Sequence, residues 1–361
     1  MTGHGDGPAR QVAEDALGWV AAHRDHFLLG DDALAADGRV DRSWKPLGEL
    51  AQVCATVTRH TAPADPLHAR AAGLLDFAWR QTAEGELFLG LHRLEPFATY
   101  PLEVYAAFAS AGLRHPRFEA AAAVVGRTRG WRLTEQEPTR RLGVLHAERR
   151  AGIRRPGEDP PAVRHTWLGG LPEPWAFERS AGYALTHVVF HLTDWGRAAG
   201  ALPADLGAYL ADWLPAWLDT CLEAGMWDLA CELLAVAATV PHPAEDPLFT
   251  EGWQRVRTAQ RPSGALPEEE AGPSPAPAAV PGAAPPRGTD GTDGTNGTDG
   301  ADGSGGTDGA DGTDAPTAER YFAGHYHSTL MAAFAAVLTA ARPVGPLAAA
   351  VRPHGGQGVP A

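Results

Sequence analysis

The sequence predicts an all-α protein, a helical array of the α/α toroid or solenoid-like kind, carrying a disordered low-complexity insert. Three observations predict it. Apolar residues recur at helical spacing in about ten successive segments. Strand signals are nearly absent, with no clean alternation of β-branched residues and no Asn-Gly hairpin between apolar runs. From Gly288 to Asp314 glycine recurs every third residue through nine triplets, mostly Gly-Thr-Asp and Gly-Ala-Asp, a composition that cannot bury a core. No fixed period of about 34 or 40 residues is visible, so the standard helical repeats are not supported.

Residues 1–260 are expected to form the helical domain. Residues 8–28 carry Val12, Ala16, Trp19 and Val20 at helical spacing, with Gly30 as a stop. Pro46–Arg59 repeats the pattern with Leu47, Leu50, Val53, Cys54 and Val57. Asp65–Thr82 opens with Asp-Pro, a cap followed by proline at the first helical position. Further helices are expected over Pro101–Ala111, Phe118–Val125 and Thr139–Ala151. Residues 152–175, rich in Pro and Gly, form a long ordered loop into the stretch Tyr183–Gly196, YALTHVVFHLTDWG. That stretch reads as one buried helix, apolar nearly all round, with Tyr183, His187, His191 and Asp194 inside an arc of roughly 80°.

Pro203–Ala224 is strongly amphipathic, with Pro215 expected to kink it. Gly225 ends it, and Trp227–Val240 follows as the second arm of a helical hairpin. Asp246–Arg257 is one more short helix. Residues 261–316 form the insert, Pro/Ala-rich and then Gly-Thr-Asp-rich. Its glycine period invites a collagen reading, but the triplets lack proline and their aspartates repel one another across chains. Residues 317–342 are helical again and too short to fold alone, so they dock back on the main domain, and 343–361 form a disordered tail.

Composition narrows the function. A net charge of −14 disfavours non-specific binding to nucleic acid or to an anionic membrane. Cys54, Cys221 and Cys231 are odd in number and form no CxxC pair, so neither a disulfide framework nor a thiolate zinc site is suggested. The N-terminal residues lack an apolar signal region and no apolar run approaches 18 residues, which points to a cytoplasmic setting. Lys45 is the only lysine, and with abundant Ala, Gly and Pro this fits a GC-rich bacterial genome.

Three polar clusters interrupt apolar helices: His187 with His191 and Asp194; Asp228 with Glu232; and His325 with His327. Imidazoles at i and i+4 can share one metal ion, and three His or carboxylate ligands plus water make an open catalytic site. Zinc, iron and manganese all suit such ligands. Val188 stands where a zincin would carry its general-base Glu, which argues against proteolysis. The alternatives are a metal-free polar pocket, or packing in which each group is satisfied locally. His325 reads as an exposed helix-start residue, and the Trp-rich segments at 213, 217 and 227 as core.

Tyr183-Ala-Leu-Thr-His187 with Thr193-Asp194-Trp195-Gly196, Asp228-Leu229 with Glu232-Leu233-Leu234, and Tyr326-His327-Ser328-Thr329-Leu330 resemble the blocks of an actinobacterial family of helical proteins of unknown function. The resemblance spans roughly residues 10–260 and 317–340. It implies that His187, Asp194, Asp228, Glu232 and His327 belong to one site. His191 departs from it, since members often carry an aromatic residue there.

Two functional readings follow. The first is an enzyme, with a divalent zinc, iron or manganese ion as its candidate cofactor, acting on a small molecule or peptide in specialised metabolism. In it His187, Asp194, Glu232 and His327 act as acid/base groups, and His187, His191, Asp194, Asp228 and His327 are the metal-ligand candidates. The second is a non-catalytic helical scaffold binding a partner protein, in which these residues would be scattered. A carbohydrate-active toroid would use Asp194 and Glu232 across a groove. Oligomeric state is not legible.

Overall fold

Helical spacing of apolar residues becomes helix along nearly the whole chain. A computed structural model describes residues 7–31, 33–35, 40–153, 162–240, 247–270 and 317–341. The helices are α1 (Pro8–Ala22), α2 (Trp44–His60), α3 (Pro66–Gln81), α4 (Glu86–Leu94), α5 (Tyr100–Ser110), α6 (Pro116–Val125), α7 (Arg129–Leu133), α8 (Pro138–Ala151), α9 (Arg179–Leu192), α10 (Ala204–Glu223), α11 (Trp227–Thr239), α12 (Pro247–Ala259), α13 (Thr317–Ala323) and α14 (Tyr326–Ala341). Among the described residues there is no strand, only an isolated bridge between Met226 and Glu269. No described helix is long and apolar enough to cross a membrane.

Local chemistry sets several boundaries. Asp65 caps α3 through the Leu67 amide, with Pro66 at the first position. Thr128 and Glu137 cap α7 and α8 in the same way. α4 and α7 are not legible as helices in advance, being only 9 and 5 residues long. α10 continues through Pro215. The segment after the insert is two helices, divided at Gly324–His325.

The stretch Tyr183–Gly196 departs from its expected form at its end. α9 stops at Leu192, and Asp194, Trp195 and Gly196 follow in left-handed conformation with φ of 51°, 55° and 82°. The turn is closed by Trp195 N–H to the Phe190 carbonyl and Ala198 N–H to the Thr193 carbonyl. Each non-glycine residue held there costs about 1–2 kcal/mol. Asp194 therefore leaves the helical stripe of His187 and His191. Gly196 is required, because a Cβ would lie 2.6 Å from Leu338 Cδ2.

Among the described residues six helices contact one another in a closed cycle: α2 with α14, α14 with α11, α11 with α9, α9 with α8, α8 with α5, and α5 back to α2. The others lean on this cycle, α1 against α14 and α3, α10 and α12 against α11, and α4 against α5. The innermost members are buried almost all round. Every residue of α11 except Ala238 is buried, and so is α14 from Ser328 to Leu338. Such helices can carry polar groups only where those groups meet partners.

The first ten residues of the expected insert, 261–270, are part of the described fold. Residues 261–270 are ordered against the core: Ala265 and Leu266 are fully buried, Leu266 N–H donates to Thr329 Oγ1, and Ser328 Oγ donates to the Leu266 carbonyl. Backbone bonds from Asp228 N–H to the Glu268 carbonyl and from Glu270 N–H to the Gly225 carbonyl fix its far end at the start of α11. A Pro/Ala/Glu-rich segment reads as linker, yet two apolar residues and a set of backbone partners suffice to hold it. The Gly-Thr-Asp repeat, at 288–314, and the tail from 343 lie outside the described residues.

Gly264 tests this attachment. Its φ is +94° and a Cβ there would lie 2.1 Å from the Asp15 carbonyl oxygen. Gly264→Ala is expected to lower stability by about 2 kcal/mol or more in urea denaturation, whereas a loose linker would absorb the change.

Candidate functional site

Asp228 and Glu232 sit one turn apart on α11, and α14 sets the His327 imidazole against both. His327 Nε2 lies 3.5 Å from Asp228 Oδ1 and 3.6 Å from Glu232 Oε1, and the ligand atoms of all three residues fall within 4.8 Å of one another. The remaining polar atom of each group is held from outside. His327 Nδ1–H donates to Glu49 Oε2 on α2 at 2.9 Å. Tyr183 OH on α9 donates to Asp228 Oδ2 at 2.7 Å, and Thr186 Oγ1 on α9 donates to Glu232 Oε2. Three atoms are thus left facing a common point, and Asp228 Oδ1 is buried without accepting any hydrogen bond.

His187 stands at the edge of this cluster. Its Nδ1–H donates to the Tyr183 carbonyl at 2.8 Å, which leaves Nε2 as the lone-pair nitrogen. Nδ1 lies 4.0 Å from Glu232 Oε2, and its side chain is 37% exposed where that of Glu232 is 1%. His187 is the most exposed member of the group, ahead of His327 at 22%.

The electrostatics are those of concentrated buried charge. Burial raises Asp228, with the neighbouring Glu232 adding to the effect and His327 opposing it. Burial also pushes Glu232 up, but the hydrogen bond and the positive charge of His327 outweigh it and leave the carboxyl below its ordinary value. Glu49 is likewise lowered, burial being overcome by His327. His327 is raised well above a free imidazole, because Glu49 and Asp228 more than offset its desolvation. Three carboxylates against one firmly protonated imidazole leave a buried excess of negative charge.

Asp194 and His191 belong to a second cluster. Asp194 Oδ1 accepts from His146 Nε2 at 2.7 Å and from Arg150 Nε at 2.6 Å, both on α8, and Arg197 Nη1 lies 3.4 Å from Oδ2. Burial raises the Asp194 carboxyl, but these partners hold it well below the usual carboxylate range. Arg150 Nη1 donates to Gln52 Oε1 on α2 at 2.6 Å. α2 and α8 are second neighbours in the helix cycle, so this bond spans it. The His191 ring lies 5.5 Å from that of His146 and 6.3 Å from that of His187, and His191 Nδ1 has no hydrogen-bond partner.

Of the five residues that the resemblance assigns to one site, Asp228, Glu232 and His327 converge, with His187 beside them. Asp194 is instead drawn to α8 by His146 and Arg150, because the left-handed turn carries it off the α9 stripe. His191, in the second cluster, lies beside His187 of the first. Glu49, Tyr183 and Thr186 complete the first cluster, and Glu49 went unrecognised. A signal for it exists: Glu49, Gln52, Thr56 and Arg59 recur at three- and four-residue spacing along the otherwise apolar α2. His146 and Arg150 form a similar i, i+4 pair on α8. His325 donates to the Tyr321 carbonyl and takes no part. A surface groove of about 1060 Å³ bounded by Glu251, Arg255 and Glu270 lies apart from these side chains.

A model of the family described as a domain of unknown function (DUF6895) matches residues 13–337. No curated protein and no solved structure matches the chain.

The second cluster makes stability pH-dependent. Burial holds His146 down at about 4, despite its bond to Asp194. His191 is also driven well below the ordinary value of 6.5, by burial above all. Both imidazoles protonate in the unfolded chain at a higher pH than in the folded one. Their contribution to stability is therefore lost as pH falls from about 6.5 to about 4, by about 3 kcal/mol for His146, while Asp228, raised to about 6 by burial, works in the opposite direction over much of the same range. In urea denaturation the stability change from pH 7 to pH 4.5 is expected to be less unfavourable in His146→Gln than in the wild type, and an identical change in both would contradict this.

Proposed function

Because the chain belongs to the DUF6895 family, which carries no activity to borrow, we propose from the site itself that the protein is a metal-dependent enzyme acting on a small molecule. Asp228, Glu232 and His327 are its ligands for one divalent cation. The observation that carries this reading is the convergence of Asp228 Oδ1, Glu232 Oε1 and His327 Nε2, each with an outer hydrogen bond on its other atom; a divalent ion would take the place of the proton that His327 Nε2 otherwise turns toward the two carboxylates. Ligand atoms about 2.1 Å from a tetrahedral ion lie about 3.4 Å apart. The distances of 3.5 and 3.6 Å from His327 Nε2 already match that edge. Glu49 supplies the carboxylate–imidazole support common behind a ligating histidine. Two carboxylates and one imidazole neutralise a divalent charge and suit zinc, iron or manganese.

A divalent ion bound there would supply Lewis acidity and a water of lowered pKa. The chain's own residues do the rest. Glu49 fixes the His327 ring and its tautomer. Tyr183 and Thr186 stop the two carboxylates from rotating away. His187, with its Nδ1 proton committed to the Tyr183 carbonyl, offers Nε2 as general base at the accessible side of the cluster. The reaction class this serves is attack of water on a carbonyl or phosphoryl centre. We read the helix cycle as a toroid-like cup around this site. We place the protein in the cytoplasm, a reading supported by three buried thiols that remain unpaired.

Metal analysis by inductively coupled plasma mass spectrometry tests the reading. After reconstitution with zinc, iron or manganese, the wild-type chain is expected to retain close to one equivalent. His327→Ala and Asp228→Asn, checked as folded by circular dichroism, should retain none. Equal retention by wild type and both variants, or none by any, would overturn it. Glu49→Gln keeps a polar partner for His327 but removes its charge, and competition with a chelator should show affinity falling by about 10–100-fold.

A further inference from the structure

We propose that the arginine cluster beside the carboxylate–histidine site binds a phosphate monoester dianion, the anchoring group of the protein's small-molecule ligand. The argument starts from donors that have nothing to donate to. Arg150 is nearly buried, with a side chain 5% exposed, and its Nε and Nη1 are used by Asp194 and Gln52. Its Nη2 is buried without a partner. Arg59, on the same face of α2 two turns beyond Gln52, donates from Nη2 to the Ser110 carbonyl at 3.2 Å, and its Nη1 is also buried without a partner. The His191 Nδ1 is in the same condition. Buried donors normally find acceptors, and an arginine left short of them is a site for an oxyanion.

Charge gives the class of anion. Arg59, Arg150 and Arg197 surround a single carboxylate, Asp194, close enough for its charge to act on all three. Against one negative charge this leaves an excess of two positive charges, which suits a phosphate monoester carrying about −1.5 to −2 at pH 7. Access lies on the side of Arg197, whose side chain is 58% exposed, while that of Asp194 is 20% exposed. The backbone that presents Asp194 is held in left-handed conformation at φ 51°, strain of the sort that persists where a site over-determines it.

Position ties the two clusters together. Glu49 and Gln52 are one turn apart on α2, and His187 and His191 are one turn apart on α9, so each of these helices contributes to both clusters. A phosphate held by the arginines would leave the rest of a small molecule within reach of His187 and the carboxylate–histidine cluster. This last step rests on the reading of that cluster as the reactive centre, whereas phosphate binding does not.

Isothermal titration with inorganic phosphate, in chloride buffer with chelator present, tests the proposal. The wild-type chain should bind one equivalent, and acetate should bind at least about ten-fold more weakly. Arg59→Gln and Arg197→Gln should each weaken phosphate by about ten-fold or more, the effect of losing one charge-assisted hydrogen bond. Arg150→Gln should do the same, and the other two variants decide the matter if it fails to fold. Asp228→Asn should bind phosphate as the wild type does while losing metal, so a failed metal site and a failed phosphate site are told apart. Absence of phosphate binding by the wild type, indifference to the arginine substitutions, or loss of binding in Asp228→Asn would each overturn the proposal.

Discussion

Asp228 and Glu232 lie one turn apart on a helix covered on all sides, and the rest of the interior is arranged to make that tolerable. A carboxylate taken out of water without compensation costs several kcal/mol, and two beside each other cost more. The structure answers with directed partners from three other helices: His327 from α14, and Tyr183 and Thr186 from α9, with Glu49 on α2 behind His327. Hydrogen bonds occupy the outer oxygen of each carboxylate and the outer nitrogen of the imidazole. They do not remove the negative excess or satisfy Asp228 Oδ1. A divalent ion, as proposed, would complete such a network.

The helix cycle explains how residues so distant in sequence come together. Glu49 and His327 are 278 positions apart, yet their helices are neighbours because the cycle closes through α14. Docking of α14 is in turn braced by residues 261–270, which reach both the Ser328–Thr329 step and the start of α11. The chain on either side of the insert thus meets at the site. The two clusters divide the charge between them, negative around His327 and positive around Asp194. α2 and α9 each run through both.

Much of this was legible before any coordinates. Helical spacing sufficed for the fold class, and the polar positions 187, 228, 232 and 327 stood out because each interrupts an apolar helix. What was not legible has identifiable causes. Asp194 shares a helical face with His187 only if α9 continues, and nothing in Thr-Asp-Trp-Gly apart from its glycine announces three successive left-handed residues. Glu49 lies among Leu47, Leu50 and Val53 in a helix whose polar face reads as solvent-facing, and only the burial of that face reveals its role. Arg150 and His146 sit in a segment dense with arginine, where charge masks the inward pair. Residues 261–270 have linker composition, and tertiary partners overrode it.

X-ray absorption at the metal edge of the reconstituted chain tests the central claim most directly. The account predicts a first shell of nitrogen and oxygen only, at about 2.0–2.2 Å, with outer scattering from a single imidazole. A second imidazole would be consistent only if His187 joins, and it should vanish in His187→Ala while the rest of the shell persists. A sulfur shell at about 2.3 Å, or a shell unchanged in His327→Ala, would contradict a centre built from Asp228, Glu232 and His327.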